Sequence, residues 1–344
     1  QIQTCEIKEK IMKKFMNDPK KFVDEMLEGI YLANKEVTYV ADDKRCYVRT
    51  TPIKGKVGIA TGGGSGHLPL FLGYVGEGML DGAAVGGVFQ SPSADQMLEV
   101  TRHIDQGAGV VYIYGNYTGD IINFDMATEL ADLEDIEVLS VVGNDDVASS
   151  VVGEEHKRRG VAGIFFLYKA AGAAAQEGMS LEDVVRVAEK TKNRTRTIGV
   201  ALSSCIIPEI GKPSFDIGED EMEIGMGIHG ENGITRKNLT AADPLVEEIM
   251  GKIFAEQDYK KGDDVAVLVN GLGATPLEEL YIMFRRVSQL MGERGINIKH
   301  VWVGEFATSM EMAGASISVL HLDKELDRMM AAKANTPFFK HFAQ

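Results

Sequence analysis

Short apolar stretches alternate with longer amphipathic ones along most of the chain. The apolar stretches of strand length in the first half are Val57–Thr61, Gly82–Phe89, Gly109–Tyr114, Glu137–Val142 and Ile164–Tyr168. Between them, Ser93–Gln106 and Asn123–Leu133 have the apolar spacing of helices. This alternation is typical of an α/β fold with a parallel sheet flanked by helices. Such sheets bind ligands at the carboxyl ends of their strands.

The second half of the chain predicts a further α/β domain with a mixed sheet. Its expected strands are Thr197–Cys205, Glu221–Ile228, Asp264–Asn270, His300–Phe306 and Ser316–His321. Thr275–Glu278 has the capping signature of a helix that runs to about Arg294. The polar, basic stretch Lys190–Arg196 is interpreted as a linker. We therefore predict an N-terminal α/β domain of residues 1–196 and a C-terminal α/β domain of residues 197–344.

Composition narrows the classes of function. The formal charge of −15 argues against nucleic acid and against anionic membrane surfaces as partners. No apolar run reaches the roughly 18 residues of a membrane span, so none is expected. The three cysteines Cys5, Cys46 and Cys205 are scattered and lack the spacing of a zinc ribbon or a disulfide framework. We therefore expect a cytoplasmic protein that holds no metal of its own.

The first candidate segment is the run TGGGSGH at Thr61–His67, which follows an expected strand. Leu68–Leu70 would then open a helix, and the backbone N–H groups of the glycine-rich loop would point at a ligand. The run matches neither a Walker loop nor a dinucleotide fingerprint. It is therefore expected to cradle ligand oxygen atoms outside a standard nucleotide site. The alternative is a tight turn in which His67 only starts the helix.

Two further segments carry a titratable side chain each. Asp120 lies in NYTGD after the strand Gly109–Tyr114, at the same sheet edge as the glycine-rich run, where it could act as a general base or merely cap a helix. His229 lies in GMGIHGE, whose alternating glycines imply a close approach by backbone or ligand. Glu231 is within reach of orienting His229. The alternative for His229 is a surface position at a strand end.

The order of these segments is that of a known family. GGGSGH, FQSPSADQ, NYTGDIINF, GKPSF, EMEIGMGIHGE, GLGATPLEELY and TSMEMAGASI all stand in this chain. From about Met12 to Leu320 the chain resembles the K subunit of dihydroxyacetone kinases. The resemblance implies two α/β domains and a homodimer. It also implies that His229 holds a short-chain ketose as a covalent hemiaminal and that Asp120 is the base. By the same resemblance, His67 hydrogen-bonds the substrate, and the backbone of Gly64, Ser65 and Gly66 supplies further contacts.

The resemblance also implies a division of labour between subunits. The K subunit binds no cofactor itself, and a helical L subunit supplies the adenine nucleotide with magnesium. The donor system is either L with ATP, or L with ADP that a phosphotransferase-system M subunit rephosphorylates. The chain is expected to be a stand-alone K-type subunit, because the residues after about 322 are too few for an L domain.

Two positions depart from the family pattern. Leu68 stands where the usual GGGSGHEP has glutamate, and Gly115 stands where a lysine usually precedes NYTGD. Loss of a nearby cation is expected to raise the pKa of Asp120. The departures favour a larger hydroxyketone such as erythrulose, but they also fit a ketose-sensing coactivator that transfers no phosphate. A lipid-binding protein of the related fatty-acid-binding type would leave the imidazole and the carboxylate unused.

Overall fold

The computed structural model describes residues 13–342, so Cys5 and the outer ends of the two expected domains lie outside the described part. The chain forms two six-stranded sheets. The strands of the first sheet lie between Val37 and Gly143, and those of the second between Thr195 and His321. The α/β class with a mixed second sheet is confirmed. The exact division into residues 1–196 and 197–344 stays a prediction.

The first sheet combines a parallel centre with an antiparallel edge. The elements in chain order are α1 (Phe22–Ala33), β1 (Val37–Val40), β2 (Asp43–Arg49), β3 (Gly58–Ser65), β4 (Gly82–Val88), α2 (Ala94–Ile104), β5 (Val110–Gly115), α3 (Thr118–Asp132) and β6 (Val138–Gly143). The strand order is β1-β2-β4-β3-β5-β6. Strands β4, β3, β5 and β6 are mutually parallel, as expected, whereas β1 and β2 add an antiparallel edge that the sequence reading missed.

The apolar run Ile164–Tyr168 was wrongly predicted as a strand. It opens α4 (Ile164–Gln176), and all residues of this helix except Gln176 are buried. A helix that is buried on every side has no polar face, so its first residues cannot be told from a buried strand by periodicity. The alanine-rich continuation AAGAAAQ was the available signal, because alanine is the strongest helix former.

The prediction that Lys190–Arg196 is a linker was wrong, because all of these residues except Arg194 belong to a helix or a strand. Helix α5 (Leu181–Asn193) leads directly into β7 (Thr195–Ala201). Lys190 and Lys192 lie in the last turn of α5, where cations interact favourably with the helix dipole. Ser180 caps the start of α5 by accepting a hydrogen bond from the backbone N–H of Asp183.

The second sheet is mixed. After β7 follow β8 (Glu221–Ile224), β9 (Thr235–Asn238), α6 (Ala242–Glu256), β10 (Asp264–Gly271), α7 (Leu277–Glu293), β11 (Asn297–Gly304), β12 (Gly314–His321), α8 (Lys324–Ala331), β13 (Ala334–Asn335) and β14 (Lys340–His341). The strand order is β11-β10-β12-β7-β8-β9, with β10 and β11 parallel and the other neighbours antiparallel. Strand β8 ends at Ile224, so the glycine-rich run around His229 is a loop rather than the predicted strand.

The capping predicted for α7 was also wrong, although the helix bounds were close. The Thr275 hydroxyl bonds to the backbone of Gly314 instead of capping the helix. The two halves of the chain share one core, in which Phe165 of α4 packs with Trp302 of β11 and with Phe339 near the C-terminal end. This shared core fixes the position of the first sheet's loops against those of the second. Within the described residues, no helix is long and apolar enough to cross a membrane.

Candidate active site

The three predicted segments meet at the carboxyl edge of the first sheet. His67 follows β3, and Asp120 lies in the first turn of α3, directly after β5. The loop after β8 brings His229 to the same place, so that the ring centroids of His67 and His229 are 4.7 Å apart with the rings almost perpendicular. The site is therefore built from both halves of the chain.

The glycine-rich run has a different structure from the one predicted. Strand β3 continues through Ser65, and the following turn leads only to a short 3-10 helix at Leu72–Tyr74. The prediction of a helix at Leu68–Leu70 is wrong, and so is the prediction that the N-terminus of this helix holds the ligand. The Ser65 hydroxyl donates to the carbonyl of Gly86 at 2.9 Å, so this side chain holds the sheet together. Gly66 has φ +104°, a conformation that favours glycine.

His67 is sealed inside the protein and is held by the second half of the chain. The residue is 1% exposed, and its Nδ1 lies 2.7 Å from the carbonyl oxygen of Thr308. Because a carbonyl can only accept a hydrogen bond, Nδ1 carries the proton and Nε2 keeps its lone pair. Nε2 is buried without a partner. The sequence reading missed Thr308, although it lies in the matched stretch TSMEMAGASI.

The surroundings of His67 keep its ring neutral. Burial lowers its pKa to about 3, the neighbouring His229 adds to this effect, and the bond to Thr308 only partly opposes it. The ring stacks on Phe89 with the centroids 4.9 Å apart. His67 therefore presents an uncharged nitrogen that can accept a hydrogen bond from a hydroxyl group.

His229 is more exposed and has a charged partner. Its side chain is 23% exposed, and its Nδ1 lies 2.8 Å from Oε1 of Glu231. The backbone N–H of His229 donates to the other carboxylate oxygen of Glu231 at 3.0 Å. Burial favours the neutral form of Glu231, but its hydrogen bond with His229, helped by the Arg159 guanidinium, lowers its pKa to about 2. An ionised carboxylate at Nδ1 leaves Nε2 of His229 as the free ring nitrogen.

Asp120 is buried, and it is not a helix cap. It is the third residue of α3, and Tyr117 occupies the N-cap position. The Asp120 carboxylate accepts a hydrogen bond from the Ser91 hydroxyl at 2.5 Å. Burial raises the pKa of Asp120 to about 6, against the opposing effects of Ser91 and His229. Burial is the only cause that raises this pKa, so the effect expected from the missing cation at position 115 stays a prediction. Ser91 was missed, although it lies in the matched stretch FQSPSADQ.

Aromatic rings form the walls around His229. The edges of Phe89 and Tyr117 meet its ring with centroid distances of 5.3 and 4.7 Å. Tyr117 also lies over Gly115, where an added Cβ would come within 2.9 Å of the tyrosine ring. The glycine at 115 therefore leaves no empty space, because Tyr117 already fills it.

Two consecutive arginines near the site, Arg158 and Arg159, are engaged by partners inside the protein. Arg158 is 1% exposed and pairs with Glu256 at 2.8 Å. Arg159 pairs with Asp146 at 2.8 Å and approaches Glu231 at 3.9 Å. The arginine pair therefore supports the loops behind the site instead of offering two free cations to an anion.

Fold and site together define an α/β protein with two histidines and a buried carboxylate at a junction between two sheets. The Dak1 domain family matches residues 28–338. The chain therefore belongs to the Dak1 domain family, which confirms the family inferred from the motifs. The dihydroxyacetone-binding subunit DhaK of PTS-dependent dihydroxyacetone kinase 1 from Listeria innocua is 44% identical over 91% of this chain and 95% of its own length.

Relatives with other names are similarly close. The D-erythrulose kinase of Mycolicibacterium smegmatis is 43% identical over 96% of this chain, which spans 57% of that protein. The dihydroxyacetone kinase of C. freundii, solved with AMP-PNP and Mg²⁺, has a TM-score of 0.88 and 29% identity, and 96% of this chain covers 61% of it. The structure of the dihydroxyacetone kinase operon co-activator Dha-DhaQ matches this chain with a TM-score of 0.87 and 32% identity. The match covers 95% of this chain and the whole length of the co-activator chain. The fold and the kinase class of the family are thus confirmed.

Proposed function

We propose that this chain is the ketose-binding subunit of a dihydroxyacetone-type kinase. The observation that carries the proposal is the hydrogen bond between Nδ1 of His229 and Glu231, which leaves Nε2 free beside the neutral ring of His67. In this proposal, the substrate is a short-chain hydroxyketone, dihydroxyacetone or erythrulose, bound covalently at His229. The names of the Listeria and Mycolicibacterium relatives support both ketoses.

Capture is an addition of imidazole to a ketone. Nε2 of His229 forms a bond to the carbonyl carbon, the π electrons of the C=O bond move to oxygen, and that oxygen takes a proton from water. The product is a hemiaminal. Glycerol has no carbonyl group and cannot form it, so bond formation discriminates between molecules of almost equal size more sharply than packing could. Nε2 of His67 accepts a hydrogen bond from a substrate hydroxyl, and the backbone of Gly64–Gly66 completes the contacts.

Transfer needs a base and a donor. In the proposal, Asp120 takes the proton of the accepting hydroxyl, and its pKa of about 6 suits a general base near neutral pH. The adenine nucleotide and magnesium are carried by an L-type partner subunit. The AMP-PNP and Mg²⁺ in the longer C. freundii enzyme support such a donor. The PTS-dependent Listeria relative supports an M subunit of the phosphotransferase system as the phosphate source.

The same proposal includes a homodimer in the cytoplasm, which the family resemblance and the scattered cysteines suggest. A second candidate function is a ketose-sensing coactivator. It is favoured by Gly115 and Leu68, which depart from the usual family residues, and by the full-length match to the Dha-DhaQ co-activator. A sensor needs capture at His229 but has no use for a buried base at Asp120, which is why we prefer the kinase.

The experiment is intact-mass spectrometry of the protein with dihydroxyacetone, erythrulose and glycerol, followed by turnover assays with an L subunit and magnesium ATP. We expect mass adducts with the two ketones, none with glycerol, and phosphorylation only after the L subunit is added. Absence of any ketose adduct would contradict the proposed function. Adducts without turnover, with an L subunit that is active on another K subunit, would favour the coactivator.

A further inference from the structure

The loop that carries His229 also contains Glu231, whose carboxylate makes two hydrogen bonds with His229. Both carboxylate oxygens of Glu231 bind the same residue: Oε1 lies 2.8 Å from the ring Nδ1 of His229, and Oε2 accepts the backbone N–H of His229 at 3.0 Å. The ring and the backbone of His229 are therefore fixed by one carboxylate. A carboxylate held on two sides has little freedom to turn away from the ring.

The backbone of this loop is shaped to hold Glu231 in place. The N–H of Gly227 donates to the backbone carbonyl of Glu231 at 3.0 Å, and the N–H of Gly230 donates to the carbonyl of Gly227 at 3.1 Å. A Cβ at Gly227 would lie 2.0 Å from Oε2 of Glu231 and 2.6 Å from Nη1 of Arg159. Glycine at 227 thus makes room for the carboxylate and the guanidinium at the same point.

A buried ion pair stands behind the carboxylate. Arg159 donates from Nε to Asp146 at 2.9 Å and from Nη2 to the carbonyl of Gly225 at 2.9 Å. Its Nη1 lies 3.9 Å from Oε2 of Glu231. Asp146 is 2% exposed, so the arginine is held by a partner that cannot move into solvent. The charges therefore alternate along the series Asp146, Arg159 and Glu231, and the Glu231 carboxylate faces Nδ1 of the His229 ring.

We infer that Glu231 is a positioning residue that selects the tautomer of His229 with the proton on Nδ1, so that Nε2 is the nucleophile toward a ketone. The inference rests on the proposed function for the identity of the electrophile, but not for the tautomer. After addition at Nε2, the ring keeps its Nδ1 proton and carries a positive charge, which the carboxylate of Glu231 stabilises across the same hydrogen bond. Asp146 and the carbonyl of Gly225 hold the Arg159 guanidinium, and this guanidinium in turn keeps the Glu231 carboxylate in place.

The test is the ¹⁵N NMR spectrum of protein labelled in its histidine rings, with the signals of His229 assigned by their loss in the His229→Ala variant. Wild-type protein without ligand is expected to show His229 protonated at Nδ1. Glu231→Ala is expected to move the proton to Nε2, whereas Glu231→Gln, which retains an oxygen acceptor, is expected to keep it at Nδ1. The matched control is Glu219→Ala, which removes an equal charge from an exposed position in a neighbouring loop.

The second arm measures ketose adducts by intact mass. Glu231→Gln is expected to lower the adduct equilibrium constant roughly tenfold and Glu231→Ala roughly a hundredfold, which is the range lost with a charge-assisted hydrogen bond. Glu219→Ala should match wild type. An Nε2-protonated His229 in the wild-type protein, or Glu231→Ala with unchanged tautomer and adduct, would overturn the inference. If wild type shows the Nδ1 tautomer but no ketose adduct, the proposed function fails and the assignment of Glu231 stands.

Discussion

The two histidines of the site are held in similar ways but by partners of different charge. His67 and His229 are both anchored through Nδ1 and both leave Nε2 free. The partner of His67 is the neutral carbonyl of Thr308 in a sealed position, and the partner of His229 is the ionised carboxylate of Glu231 at a partly open one. The carbonyl of Thr308 fixes the His67 ring and only partly offsets the effect of burial, whereas the carboxylate of Glu231 fixes the His229 ring and supplies a full negative charge.

The difference explains how one side chain type could serve two purposes a few ångströms apart. Burial keeps the pKa of His67 at about 3, so this ring stays neutral and accepts hydrogen bonds. An imidazole ring that forms a bond to carbon gains a positive charge. Of the two rings, only that of His229 has a carboxylate hydrogen-bonded at Nδ1 that stabilises such a charge. In the proposed function, the partner at Nδ1 therefore makes His229 the nucleophile and His67 the hydrogen-bond acceptor.

The largest expected effect is on covalent capture. His229→Ala should abolish the ketose adduct in intact-mass spectra because no other nitrogen in the site combines a free lone pair with an anionic partner. His67→Ala should weaken the adduct but leave it detectable, because it loses a hydrogen bond and not the nucleophile. Thermal melting of both variants controls for folding. An adduct that survives in His229→Ala, or that disappears only in His67→Ala, would reverse the assignment.

The next effect separates capture from transfer. Asp120→Asn should lower turnover with an L subunit by about 10²–10⁴-fold, the usual contribution of a general base. Adduct formation should persist, because Asp120 does not contact the nitrogen that binds carbon in our proposal. Coupled kinase assays and intact mass on the same preparations measure both quantities. Turnover within a few-fold of wild type would show that Asp120 is not the base.

A smaller effect is the pH dependence of transfer. A base works only when deprotonated, and the pKa of Asp120 is raised to about 6 by burial. The ratio of wild-type to Asp120→Asn turnover should therefore be constant above pH 7 and fall about tenfold per pH unit below 6. Taking the ratio cancels every pH effect on capture that is common to the two proteins. A ratio that does not change between pH 5 and 8 would contradict the base role.

The smallest expected effect concerns specificity. Wild type should handle erythrulose at least as well as dihydroxyacetone, and Gly115→Lys combined with Leu68→Glu should shift kcat/KM toward dihydroxyacetone by a few-fold. Because Tyr117 lies 2.9 Å from a Cβ at position 115, the lysine must displace the ring that contacts His229. Gly115→Ala is the control for that displacement alone. An unchanged ratio of the two kcat/KM values would mean that neither position sets substrate preference.

The parallel centre of the first sheet could be predicted because its strands are largely apolar and alternate with helical stretches. The β1–β2 edge could not, since Asp43–Arg49 mixes charged and apolar residues without a clear period. Helix α4 could not be predicted for a different reason, since its sequence has too few polar residues to show a period. Its run Ile164–Tyr168 is apolar on every side, and only burial in the core shared by both halves explains that composition.

The residues of the site also divide into those that the sequence predicted and those that it did not. His67, Asp120 and His229 could be named from glycine-rich surroundings and from their places after strands, and Glu231 could be named from its spacing to His229. Ser91 and Thr308 could not, because their importance comes from contacts across long stretches of chain: Thr308 meets His67 from 241 residues away. A backbone carbonyl contact leaves no mark on the sequence, since every residue has a carbonyl.

By itself, the sequence determined the α/β class, the Dak1 family and the titratable groups of the site, because strand length, glycine spacing and side-chain chemistry are local properties. Only the tertiary structure decided which nitrogen of each histidine is free, how strongly Asp120 is shifted and whether Gly115 leaves space. Protonation depends on burial and on partners at about 3 Å, and Tyr117 fills its position only once β5 and α3 are packed. For His67 and Asp120 these properties arise when distant segments meet. For His229 and Gly115 the partner is only two residues away, but the folded backbone decides whether the two side chains meet.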